Sequence, residues 1–190
     1  MNRWSDCIVV FMDLIGTKKR ALEGNRTAST AMRSFHKLVR REMNADLRSL
    51  DHAYVWNDSV LLLAYVDDRL QTYENAMRAA DELKQRVDAT TQCFAIAVKG
   101  RAFPSKTSRA DSRVTLIRAS SYAMANCFRI EAQATAQKLR YDWYVDVRIA
   151  RKVRQARASK WIDVAMLPSG KRRRVYAHDG YLWSALTCYQ

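Results

Sequence analysis

The sequence has little of what breaks regular structure: among 190 residues there are only 5 glycines and 2 prolines. A disordered or low-complexity chain would carry far more of both, and 48% hydrophobic residues are enough for a packed core. No apolar run reaches the roughly 18 residues of a membrane-spanning helix, and no signal-peptide pattern opens the chain. We therefore expect one globular domain over residues 1–190, located in the cytoplasm, with no membrane span.

Clustered cysteines and clustered basic residues are also missing. The four cysteines form no CxxC pair, so neither a zinc site nor a redox motif is predicted. The net charge of +14 suits nucleic acid, an anionic membrane or a polyanionic small molecule, but the basic residues are spread along the chain. The predicted strands also lack the exposed aromatic pattern of RNA-binding sheets. We predict no stable nucleic-acid complex, although the charge keeps nucleic-acid binding as an alternative.

Hydrophobic periodicity predicts strands and helices in the order βαββαβ, followed by a further helix and strands. This is the ferredoxin-like split βαβ arrangement, an α+β fold, here with an extra C-terminal helix and strands. A polar loop is expected over residues 103–113. The predicted strands are 7–13, 52–56, 59–66, 93–98, 143–147, 161–166 and 173–177, and the predicted helices are 31–47, 70–87, 119–139 and 149–158.

Two acids stand where predicted strands end. Asp13 closes the apolar run 7–13 (CIVVFMD), and Asp58 lies in the Asn57-Asp58 turn between the second and third strands. In a βαββαβ sheet the first strand lies beside the third, so the two carboxylates can meet near the turn that Gly16 permits. Such a pair suits a two-magnesium site, with phosphates and water as the other ligands. Acids at strand ends are also commonly just solvated.

Three motifs, in chain order, resemble those of the class III adenylate and guanylate cyclases. Residues 13–16 (DLIG) look like the D-[IL]-x-G motif, residues 54–60 (YVWNDSV) resemble the K-x-x-G-D-x-x hairpin, and residues 123–132 (AMANCFRIEA) resemble the V-N-x-A-x-R-L-E helix. Asn57 stands where the hairpin glycine is usual, and residues 17–18 (TK) replace the usual Phe-Thr. Together the motifs extend the resemblance over nearly the whole chain.

The resemblance implies a catalytic homodimer that cyclises a nucleoside triphosphate. Asp13 and Asp58, helped by the backbone carbonyl of Leu14, would hold two Mg²⁺ or Mn²⁺ ions from one subunit. Arg129 of the other subunit would face the triphosphate, because a guanidinium donates well to phosphate oxygens. Lys171 is the nearest candidate for the family's C-terminal lysine on the phosphates.

Departures from the family pattern bear on the substrate. Ala125 occupies the position of the ribose-orienting asparagine, and Asn126 follows one residue later, roughly 100° further around a helix. The two base-recognising positions fall on Tyr54 and Arg118, which match neither the Lys and Asp of adenylate cyclases nor the Glu and Cys of guanylate cyclases. A tyrosine suits a smaller base, and Arg118 could donate to a carbonyl of uracil.

This combination resembles the pyrimidine cyclases of bacterial Pycsar antiphage systems. The resemblance implies conversion of UTP, or as second choice CTP, to the 3′,5′-cyclic monophosphate and pyrophosphate. The product would be a second messenger in antiviral defence, detected by a separate cyclic-nucleotide-sensing effector. An adenylate or guanylate cyclase, or a non-catalytic nucleotide-sensing module with the same fold, remains the alternative.

Overall fold

The computed structural model describes residues 4–17, 22, 26–45, 49–102, 106–107, 116–117, 122–153, 160–166 and 171–183. The strands are β1 (Ser5–Leu14), β2 (His52–Trp56), β3 (Ser59–Tyr65), β4 (Cys93–Ala102), β5 (Lys106–Thr107), β6 (Leu116–Ile117), β7 (Trp143–Asp146), β8 (Lys160–Met166) and β9 (Lys171–His178). The helices are α1 (Arg26–Ala45), α2 (Leu70–Asp88), α3 (Tyr122–Ala136) and α4 (Val147–Ala150).

Seven strands form one sheet in the order β2-β3-β1-β4-β7-β9-β8, and β5 pairs with β6 separately. Neighbours in the large sheet are antiparallel except for β4 and β7, which are parallel. The order β2-β3-β1-β4, with α1 and α2 as the crossovers, is the predicted ferredoxin-like core. The predicted α+β fold, a ferredoxin-like core with C-terminal additions, is therefore confirmed.

The central strand β1 lies between two hydrophobic cores, which explains its continuous apolar sequence. Successive side chains of a strand point to opposite faces of the sheet. Met12 and its alternate neighbours pack with α1 and α2 on one face. Phe11 and its alternate neighbours pack with α3 on the other face.

Each helix of the described chain is too short or too polar to cross a membrane.

The loop predicted over residues 103–113 is wrong at Lys106–Thr107, which form β5 because they pair with β6. Two of the boundaries that differ have local reasons. Strand β4 continues to Ala102, past the predicted end at residue 98, because the N-terminal half of β1 pairs with it as far as Ser5. The predicted helix 149–158 is only α4 within the described residues. It begins early because the Asp146 side chain caps it by accepting a hydrogen bond from Arg148 N.

The β2–β3 hairpin turns through Asn57 and Asp58 without a glycine. Asn57 has a φ of 48°, in the left-handed region that most side chains avoid. Asparagine is among the few residues other than glycine that adopt this conformation readily. Asn57 therefore accounts for a tight turn where the family motif has glycine.

Candidate active site

Strand pairing brings the two predicted aspartates to the same edge of the sheet. Asp13 lies opposite Ser59 in the β1–β3 ladder, and Asp58 directly precedes Ser59. The end of β1 and the hairpin turn are also joined through the backbone, since Leu14 N donates to Asp58 O at 3.0 Å. Asp13, Leu14 and Asp58 thus lie together, at the end of β1 and the turn of the hairpin.

A hydroxyl group contacts each of the two carboxylates. Ser59 Oγ donates to Asp13 Oδ1 at 2.5 Å. Thr17 Oγ1 lies 2.7 Å from Asp58 Oδ2 and 3.1 Å from Leu14 O. Neither contact has a signal in the sequence, because each joins residues more than 40 positions apart.

Helix α1 contacts the same hairpin through a histidine. His36 Nε2 lies 2.5 Å from the carbonyl oxygen of Asn57, the residue before Asp58. A hydrogen bond from this ring nitrogen fixes the backbone next to the carboxylate. The periodic pattern of the helix gave no signal for this contact, because His36 is neither on the core face nor in a motif.

Four aromatic rings line the sheet next to the carboxylates. Phe11 is central: its ring centroid lies 5.2 Å from that of Phe128, 6.2 Å from Phe94 and 6.3 Å from Trp56. Trp56 is 36% exposed and Phe128 is 41% exposed, although both are large apolar side chains. Neighbouring exposed rings of this kind suit contact with a ligand or another protein.

A cavity of about 890 Å³ opens between the carboxylates, the aromatic rings and the C-terminal end of α3. This volume lies within the roughly 300–1,000 Å³ typical of small-molecule sites. Carboxylates outnumber cations in its described lining, although the whole chain has a net charge of +14. The cavity therefore attracts cations more than the rest of the surface does. Its charged lining residues are Asp13, Asp58, Glu131, Asp142, Asp179, Lys138 and Arg140.

Several solved structures with a similar fold are nucleotide cyclases. A bacterial light-regulated adenylyl cyclase matches with a TM-score of 0.66 at 11% identity, over 94% of this chain and 52% of that one, so this chain spans about half its length. An adenylyl cyclase from P. aeruginosa gives 0.61 at 8% identity over 95% and 97% of the two chains. The guanylate cyclase domain of a Catenaria anguillulae protein, in complex with GTP, gives 0.57 at 8% identity over 92% and 97%.

The chain has the fold of a class III nucleotide cyclase domain. At identities this low the likeness establishes the fold alone. No protein-family model and no curated protein matches the sequence. Any function on this cyclase fold must therefore be inferred from the chain's own residues.

Three of the other predicted site residues lie away from the cavity. Tyr54 is half-buried on β2, packs against the core under α3, and has its pKa raised by that burial. Asn126 is fully buried, and neither atom of its amide has a hydrogen-bond partner in the described part of the chain. Ala125, at the position of the family's asparagine, is exposed. Arg129 is half-buried on α3 and is not among the residues that line the cavity.

The two remaining predicted residues are only partly covered by the structure. Arg118 lies outside the described residues. Lys171 begins β9, with its backbone opposite Met166, and its side chain lies outside the description.

The donor atoms near Asp13 and Asp58 fit magnesium or manganese. The described residues contain no group of three or more His, Cys, Asp or Glu side chains that could hold a metal ion. Two carboxylates, a backbone carbonyl and a hydroxyl remain, all of them oxygen donors. Mg²⁺ prefers oxygen ligands and usually keeps positions for phosphate and water, so a site with only two carboxylates suits it.

Proposed function

We propose that this protein is a nucleotide cyclase that converts a pyrimidine nucleoside triphosphate, UTP first and CTP second, to its 3′,5′-cyclic monophosphate and pyrophosphate. The observation that carries the proposal is the meeting of Asp13, Leu14 and Asp58 at the wall of a nucleotide-sized cavity. The cyclase fold supports a nucleotide cyclase over other uses of two carboxylates.

In the proposed reaction the ribose 3′-oxygen attacks the α-phosphorus, and the bond from that phosphorus to the bridging oxygen of pyrophosphate breaks. The 3′-hydroxyl proton leaves to solvent. Asp13 and Asp58 would hold two divalent ions, which when bound lower the pKa of the 3′-hydroxyl and neutralise phosphate charge. Ser59, through its bond to Asp13, would keep that carboxylate oriented. The chain contributes mainly position and electrostatics, as in phosphoryl transfer generally.

A homodimer would complete the site. Arg129 lies on α3 outside the cavity that contains Asp13 and Asp58 of its own chain. It would therefore serve the cavity of a second copy, where its guanidinium would stabilise charge on the phosphates, together with Lys171. The exposed rings of Trp56 and Phe128 offer apolar surface for such a contact. A two-fold dimer would build the site from both subunits.

Pyrimidine preference is proposed from Tyr54 and Arg118, which replace the base-reading pairs of the purine cyclases. The product would act as a second messenger on a separate effector in bacterial antiviral defence. Cyclic pyrimidine nucleotides should then rise in phage-infected cells that carry the wild-type protein and stay at background in cells that carry Asp58→Ala. Equal levels in the two strains would remove the defence role.

A nucleotide-sensing module without catalysis is the second candidate. It is favoured by the exposed Ala125 at the position of the ribose asparagine and by the burial of Asn126. Such a module would bind nucleotide through the same cavity and release no pyrophosphate.

One incubation separates these functions. The purified chain is mixed with ATP, GTP, CTP or UTP and either Mg²⁺ or Mn²⁺, and products are identified by chromatography and mass. We expect a cyclic pyrimidine product that disappears in Asp58→Ala. A cyclic purine product would contradict the roles given to Tyr54 and Arg118. Nucleotide binding without any product would favour the sensing module.

A further inference from the structure

Thr17 is a buried hydroxyl at the edge of the proposed metal site. Its side chain is 1% exposed, directly after the turn at Gly16, whose φ of 78° reverses the chain. Thr17 Oγ1 contacts Asp58 Oδ2 at 2.7 Å and Leu14 O at 3.1 Å. Thus one hydroxyl contacts two of the oxygen donors on which the proposed function depends.

The hydroxyl of Thr17 has one proton for two acceptor oxygens, Leu14 O and Asp58 Oδ2. A threonine hydroxyl carries one proton, while a carbonyl and an ionised carboxylate only accept. The single proton can bond fully to only one of the two acceptors or be shared between them, so the hydroxyl keeps lone pairs with which it could bind a cation. No ion pair among the described residues involves Asp58, so no cationic side chain there balances its charge.

Thr72 provides an internal comparison with the same chemistry. Its Oγ1 lies 2.9 Å from Asp67 Oδ1 and 2.8 Å from Arg69 O. There the carboxylate has a counter-charge, because the Arg69 guanidinium pairs with its other oxygen, Asp67 Oδ2, at 2.5 Å. The hydrogen bond from Arg69 lowers the pKa of Asp67 to about 2. Asp58 has no such counter-charge from a side chain among the described residues, and a divalent ion would supply it.

The spacing of the oxygens suits a magnesium-sized ion. At a metal–oxygen distance of about 2.1 Å, adjacent ligands of an octahedral ion lie about 3.0 Å apart. The two contacts of Thr17 are close to this spacing. We propose that Thr17 Oγ1 is a direct ligand of a divalent cation, beside Asp58 and the carbonyl of Leu14. The inference rests on the metal site of the proposed function but needs no turnover.

Binding of Mn²⁺ alone to the purified full chain tests the inference, measured from the electron paramagnetic resonance signal of free Mn²⁺. Thr17→Val keeps the shape and removes the hydroxyl, and we expect it to weaken binding by about 10-fold or more, the scale at which ligand support is lost. Thr17→Ser should bind within about 3-fold of wild type. Thr72→Val, which removes the matched hydroxyl, should leave Mn²⁺ binding unchanged. Wild-type affinity in Thr17→Val would overturn the inference, as would a wild-type chain that binds no Mn²⁺.

Thr17→Cys distinguishes a ligand from a group that only orients other ligands. A thiolate is a soft ligand, so this variant should bind Mn²⁺ more weakly and Cd²⁺ more tightly than wild type does. Thr72→Cys is the control for any gain due to a new thiol. Equal Cd²⁺ affinities for the two cysteine variants would reject a direct ligand at Thr17. Mn²⁺ binding that depends on Thr17 in a protein without turnover would leave this inference standing and remove the cyclase activity instead.

Discussion

Asp58 and Asp81 are both carboxylates without an ion pair among the described residues, and their surroundings are opposite. Asp58 is half-buried beside the cavity, and one hydroxyl, that of Thr17, contacts its carboxylate. Asp81 is 1% exposed within α2 and accepts four hydrogen bonds. Its donors, all at 3.0–3.1 Å, are Trp143 Nε1, Leu182 N, Trp183 N and Gln85 Nε2.

The difference separates a structural carboxylate from one that is available for chemistry. Four N–H donors occupy nearly all the lone-pair positions of Asp81, so it fastens residues 182–183 to α2 and β7. Asp58 keeps lone pairs open towards the cavity. Burial and charge alone would rank Asp81 as the more unusual residue. Its carboxylate oxygens are nevertheless already hydrogen-bonded and have no lone pair left for a ligand.

Substitution by asparagine should reduce turnover at Asp58 and stability at Asp81. Asp58→Asn removes a charged metal ligand, so we expect turnover to fall by about 10³-fold or more, comparable with loss of a major electrostatic group. Its melting temperature should stay close to that of wild type, because no described ion pair is lost. Product formation and thermal unfolding measure the two effects. An Asp58→Asn protein with full turnover would break the comparison.

Asp81→Asn should primarily destabilise the protein. The amide turns N–H groups towards N–H donors, which leaves buried polar groups unpaired at about 1–3 kcal/mol each. We expect a total loss of about 3 kcal/mol in the free energy of unfolding, or a decrease of roughly 6–12 °C in melting temperature. Asp68→Asn, at a highly exposed acid, is the control and should change little. A stable Asp81→Asn protein would contradict the structural role.

His36→Ala should produce a smaller effect and sharpen the account of Asp58. The histidine holds the carbonyl of Asn57, so its loss would let the hairpin and the neighbouring carboxylate move. We expect about 10-fold lower turnover, since misplacement of about 1 Å can cost up to 100-fold. The variant should also need a higher Mn²⁺ concentration for half-maximal turnover. His36→Gln, which keeps a hydrogen-bond donor, should restore much of the lost turnover. Unchanged kinetics in His36→Ala would show that the hairpin holds Asp58 without this contact.

The sequence predicted elements and motifs better than it predicted the groups around them. Strands β1, β3 and β4 have apolar runs that only a doubly covered sheet explains, and they were found with their order. Asp13 and Asp58 were found because strand ends and turns mark them. Thr17, His36 and Asp81 were not, since their partners lie tens of residues away and no periodicity encodes such contacts.

Asn126 illustrates the limit most clearly. The sequence shows only that it stands one residue after the position of the family's asparagine. A shift of one residue on a helix is a rotation of roughly 100°, and in α3 that rotation separates the exposed Ala125 from the fully buried Asn126. Spacing in a motif therefore cannot replace knowledge of which side of the helix faces the sheet.

The left-handed turn at Asn57 also has a consequence for the unfolded chain. A glycine at this position would sample more backbone conformations before folding, so Asn57 lowers the chain entropy that the turn loses, while its side chain at a positive φ costs energy in the folded hairpin. The two effects oppose each other, and asparagine is among the residues for which the second is smallest. The turn that carries Asp58 therefore depends on the unfolded chain as well as on the folded one.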